Sequence, residues 1–90
     1  MQNEIKEFAY HYKLSPRETE IVFLLAKRRT TFKEIAQSLG SSPSTVKNQF
    51  KSIFLKTSTN TKSELLGLFI EQVLANKKVF TLDPEINSSW

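Results

Sequence analysis

The chain has no cysteine, two glycines, three prolines and a single histidine. Without cysteine there are no disulfides, no thiolate metal sites and no cysteine nucleophile, and a reducing compartment such as the cytoplasm is the expected location. With one histidine, His11, and no cysteine, the usual metal-ligand sets cannot be assembled, so no metal is expected. The longest unbroken apolar run, Ile21 to Ala26, is far too short to span a bilayer. The opening residues, Met1-Gln2-Asn3-Glu4-Ile5-Lys6-Glu7, have no basic stretch followed by an apolar one, so a signal peptide is not expected. No acid pair, nucleophile–base pair or glycine-rich phosphate loop is present, so neither an enzyme nor a cofactor is expected. One more absence is local. Between Ile35 and Ser63 there is no aspartate or glutamate, only Lys47, Lys51, Lys56 and Lys62.

The net charge is +4 over 90 residues. Residues 1–13 balance and residues 64–90 are acidic, so the excess lies in the middle, with Lys27-Arg28-Arg29 just upstream of the acid-free stretch. A basic surface concentrated in this way suits a polyanion, although a solvated lysine face has the same composition. A chain of this length makes one domain and buries roughly 60% of the surface exposed by its unfolded form.

The apolar spacing predicts an all-α protein, a small four- to five-helix domain with a helix-turn-helix. Ile5, Phe8, Ala9 and Tyr12 mark one face of a first helix, so residues 1–13 read as a helical arm or linker. Ser15-Pro16-Arg17-Glu18 is a capping box with proline at the first helical position. It opens a segment that is apolar nearly all round. Thr31 and Glu34 form a second capping box, before a short helix that should end at Gly40. Ser42 and Pro43 start the next helix at once. Thr61 and Glu64 open the last one. The domain is expected over residues 14–75, with a C-terminal tail over residues 76–90 carrying Val79, Phe80, Leu82 and Trp90.

A short helix, a tight turn and a polar second helix over Glu34 to Lys56 spell a helix-turn-helix, a unit that puts its second helix into the major groove of double-stranded DNA. On a wheel advancing about 100° per residue, Val46, Phe50, Ile53 and Phe54 form the core stripe. Ser44, Lys47, Asn48, Lys51 and Ser52 occupy the other side. Lysine donates to guanine O6 and N7, and asparagine pairs with adenine N6 and N7. Lys47, Asn48 and Lys51 are therefore the candidate base contacts. Ser42 and Thr45 are candidate backbone contacts, since hydroxyls and amides at a helix start suit phosphate oxygens, and Ser44 and the basic Lys56 join them as candidates. The last helix is apolar over more than one face. Leu66, Ile70, Val73 and Leu74 are its candidate homodimer contacts, and cover by the first helix or the tail is the alternative.

Leu14 to Ile21, Lys33-Glu34-Ile35-Ala36, Leu39-Gly40, Ser42, Thr45-Val46-Lys47, Ile53 and Lys56, taken in order, resemble the C-terminal DNA-binding domain of LuxR/FixJ-type response regulators over about residues 14–74. The resemblance implies a four-helix domain whose third helix enters the groove. It implies base-facing Lys47, Asn48 and Lys51, backbone-facing Thr31, Lys33 and Thr45, and a last helix that commonly makes the dimer contact. It also implies transcriptional regulation, with RNA polymerase as a candidate partner. The chain departs from the pattern in several places. It has one extra residue between Ala26 and Glu34, Arg28 and Arg29 where a glycine often ends the first helix, Ser41 where an apolar residue is common, and Gln49 for a frequent histidine. Thr57-Ser58-Thr59 stands for a leucine-glycine-valine-like turn. Two other readings share some features: a sigma-factor region-4 domain, and an interaction module that sequesters a partner regulator through the last helix, Leu55 and the tail.

Overall fold

The computed structural model describes residues 2–29 and 31–76. These form five helices: α1 (Gln2–Tyr12), α2 (Pro16–Ala26), α3 (Phe32–Leu39), α4 (Pro43–Thr57) and α5 (Lys62–Asn76). No strand occurs among the described residues. The tail, expected from residue 76 onward, lies outside them beyond Asn76.

Each helix start follows from its local sequence. Ser15 Oγ accepts from Glu18 N at 3.1 Å, and Glu18 Oε1 accepts from Ser15 N at 2.8 Å. Thr31 and Glu34 repeat the arrangement at 3.0 and 3.3 Å. A lost cap of this kind costs about 1 kcal/mol. At α5 the pattern shifts by one residue. Thr61 Oγ1 accepts from Glu64 N, but Glu64 Oε1 accepts from Asn60 N at 2.7 Å.

The helix ends share one device. After α1, α2, α3 and α4 comes a left-handed residue: Lys13 (φ 57), Arg28 (φ 74), Gly40 (φ 65) and Ser58 (φ 57). Each is followed by an amide that reaches back five residues, as Arg29 N does to Leu24 O at 3.0 Å and Ser41 N to Ala36 O at 2.9 Å. Only Gly40 adopts this conformation without a steric penalty, which is about 1–2 kcal/mol for other residues. Ser58→Gly is therefore expected to raise stability by about 1 kcal/mol, part of the relieved strain being offset by a looser unfolded chain. A urea midpoint that moves up at constant slope would bear this out. An unmoved midpoint would show that Ser58 is not strained.

One core joins all five helices. Ile5 and Phe8 of α1 sit with Ile21, Val22 and Leu25 of α2, Ile35 and Ala36 of α3, Val46, Phe50 and Ile53 of α4, and Leu65 and Phe69 of α5. The Phe8 ring meets Phe69 edge-on with centroids 5.3 Å apart. The segment read as an arm thus buries its apolar face among the other helices. At the opposite end, Phe50 lies between Phe32 (5.6 Å) and Phe54 (5.7 Å). Lys62 Nζ stands 4.5 Å from the Phe32 ring centroid, tying the start of α5 to the start of α3.

Candidate nucleic-acid interface

Helices α3 and α4 form the unit expected from the spacing. Gly40 ends α3, Ser41 and Ser42 make the turn, and Pro43 begins α4. Ser42 Oγ accepts from Thr45 N at 3.2 Å, donates to Thr45 Oγ1 at 2.9 Å and lies 3.4 Å from Ser44 Oγ. Three exposed hydroxyls therefore cluster at the positive end of the α4 dipole. Val46, Phe50 and Ile53 are fully buried and anchor the inner side. On the outer side Lys47, Asn48 and Lys51 are exposed, and no salt bridge to a described residue reaches either lysine. Thr31 and Lys33, at the start of α3, are exposed as well.

The rear of α4 is held by a buried carboxylate. Glu18 of α2 is 6% exposed. Its Oε2 accepts from Ser52 Oγ at 2.6 Å, and its Oε1 accepts from Lys56 Nζ at 2.7 Å and from the Ser15 amide. Burial by itself pushes this carboxyl up. The hydrogen bonds from Lys56, Ser52 and the Ser15 amide, with the charge of Lys56, outweigh burial and bring the pKa from 4.5 down to about 2. Glu18 is thus charged in the folded protein and joins α2 to two turns of α4.

This knot moves two residues from where the sequence placed them. Ser52 does not face outward; it is half-buried against α2. Lys56, expected at the DNA backbone, has its ammonium bound to Glu18 instead. The physical reason is that α4 packs on two neighbours, α3 and α2, so its inner side is wider than one apolar stripe. Glu18 was legible only as half of a capping box; nothing local marked its other oxygen as an acceptor for α4. The altered turn after α4 is polar inside as well: Thr57 is buried, and its hydroxyl donates to Ile53 O at 2.8 Å. Arg17 was missed too, and its guanidinium donates to Leu39 O at 3.4 Å, at the end of α3.

Of the four residues expected at a dimer contact, Leu66 and Val73 are half-buried against the core. Ile70 (49% exposed) and Leu74 (50%) remain outside. With Glu4, Phe69 and Val73 they line an open groove of 310 Å³ between α1 and α5. No cluster of described residues could hold a metal ion, and no described helix is long and apolar enough to cross a membrane.

A capped short helix, a glycine-ended turn and a second helix with a buried apolar side and a basic, acid-free outer side define a helix-turn-helix DNA-binding domain. Residues 12–69 match the family described as GerE, bacterial regulatory proteins of the luxR family, and the chain belongs to that family. It is a DNA-binding domain of a transcriptional regulator, of a family that is not enzymatic. No curated protein matches the chain, and no solved structure does.

Proposed function

We propose that the chain recognises particular sequences of double-stranded DNA with α4 in the major groove, and that it does so as a homodimer in the cytoplasm. The observation that carries this reading is the exposed triad Lys47, Asn48 and Lys51, set on one side of a helix with no acid beside it. Among the described residues none bonds their donors, so base edges need not compete with a partner there. Thr31, Lys33, Ser42, Ser44 and Thr45 take the phosphates on either side. Lys56 is left out of this set because Glu18 holds it. Dimerisation rests on α5, where Ile70 and Leu74 present an apolar surface that a second copy can cover symmetrically.

The test is binding by fluorescence anisotropy to a duplex selected from a random pool, compared with scrambled duplexes, across a salt series. Lys47→Ala and Asn48→Ala should each cost about 1–3 kcal/mol on the selected duplex and little on scrambled ones. Lys33→Ala should weaken binding to both alike and reduce the slope of log affinity against log salt by about 0.9 per protomer. Equal effects of all three would sink the division of roles. Negligible binding to any duplex at low salt would favour the interaction module instead. Ile70→Glu should leave the fold intact, since half of that side chain is already in water, and shift the protein to monomer in sedimentation. A folded Ile70→Glu dimer would place the contact elsewhere.

A further inference from the structure

Leu55 is 83% exposed, far more than Ile70 or Leu74. A single exposed leucine is ordinary; its position here is not. At about 100° per residue, Ser44, Asn48, Lys51 and Leu55 fall within an arc of about 60°, opposite Val46, Phe50 and Ile53. Leu55 therefore continues the reading face one turn beyond Lys51. It lies about 10.5 Å along the axis from Asn48, or about three base steps when helix and groove run together.

What can a leucine meet there? It cannot donate or accept a hydrogen bond. A phosphate set against it would lose water and gain nothing. The one apolar group on a major-groove edge is the C5 methyl of thymine. A protein ligand fits less well. The depression beside Leu55 is otherwise lined by Phe54 and by the polar Lys51, Ser58, Thr59 and Asn60, so a partner would find one apolar anchor rather than a patch.

Resting on the proposed groove-reading mode, we infer that Leu55 is a further specificity-determining residue, one that selects thymine about three base pairs from the site of Asn48. It acts by burying the thymine methyl, and it extends the readout beyond the hydrogen-bonding residues.

The test uses the whole chain and the selected duplex, resynthesised with deoxyuridine in place of each thymine in turn, so that one methyl is removed each time. For the wild-type protein, one position near the end of each half-site should lose about 4-fold in affinity, the value of one buried methyl-sized group at about 0.8 kcal/mol. For Leu55→Ala the same position should show no further loss, while every other position behaves as in the wild type. Leu55→Ala should melt with the wild type, because the side chain lies in water. Equal losses in the two proteins at every position would overturn the assignment. Tighter binding of Leu55→Lys to all duplexes would overturn it too, by placing residue 55 over the backbone. Failure of selection to enrich any sequence would overturn the groove-reading mode and this inference with it. Enrichment without coupling at Leu55 would overturn the inference alone.

Discussion

Glu18→Ala is expected to lower the stability of the domain by about 3 kcal/mol or more, the scale seen when one partner of a buried ion pair is removed. Total stability for a domain of this size is about 5–15 kcal/mol, so the loss is large. The substitution strands three donors: the Ser15 amide, the Ser52 hydroxyl and the Lys56 ammonium. The Lys56 side chain is 38% exposed and its ammonium can turn to water, which keeps the loss toward the lower end. The other two are less free to move.

Acid should expose the same group. The Glu18 pKa is about 2 when folded, against 4.5 for the free group. As pH falls the unfolded chain binds its proton first. The contribution of Glu18 is thus complete above about pH 4.5, declines below it, and is gone near pH 2, a total of about 3 kcal/mol. Urea midpoints of the wild type and Glu18→Gln should converge over this window. Other carboxylates titrate in both proteins, so the difference isolates Glu18. Parallel acid profiles would mean that the carboxyl is not held as described. Because Glu18 grips α4 at two points one turn apart, Ser52 and Lys56, Glu18→Gln should also loosen how α4 is presented, with more affinity lost on a selected duplex than on a scrambled one.

Most of the helix-turn-helix was legible because its signals are local. A capping box needs residues three apart, and a left-handed helix end needs a glycine in the right place; Thr31, Glu34, Gly40, Ser42 and Pro43 met those conditions. The family match, over residues 12–69, includes the same stretch. What escaped was set by contacts distant in sequence. Ser52 and Lys56 lie on the polar side of a wheel drawn for one neighbour, yet α4 has two. Glu18 is joined to residues 34 and 38 positions away. Lys13, Arg28 and Ser58 end helices where the sequence offers no glycine, because the returning amides fix the turn whatever side chain stands there. Thr57 keeps the turn after α4 buried by satisfying its own hydroxyl, a solution that composition alone does not distinguish from an exposed linker.

Phe8→Ala is expected to cost about 3–5 kcal/mol, as much as any core truncation in this domain. The residue lies outside residues 12–69, the stretch that matches the family, so the match alone would leave it dispensable. Packing says otherwise. The ring is 0% exposed and stands 4.8 Å from Tyr12 and 5.3 Å from Phe69, centroid to centroid. Its removal would leave a cavity beneath α1 and expose one side of α5. Tyr10, two residues away on the same helix, is 87% exposed, and Tyr10→Ala should change stability by no more than about 0.5 kcal/mol. The contrast between them tests whether α1 is part of the folded unit: similar melting of the two variants would make it an attached arm. The consequence reaches function through α5. Helix α1 covers the flank of α5 near Phe69 and leaves Ile70 and Leu74 outside. In the proposed homodimer, with α1 in place, a second copy would meet only that narrow apolar strip. With Phe8 truncated, the strip widens to include Phe69, and the variant should associate beyond the dimer in sedimentation as it loses stability.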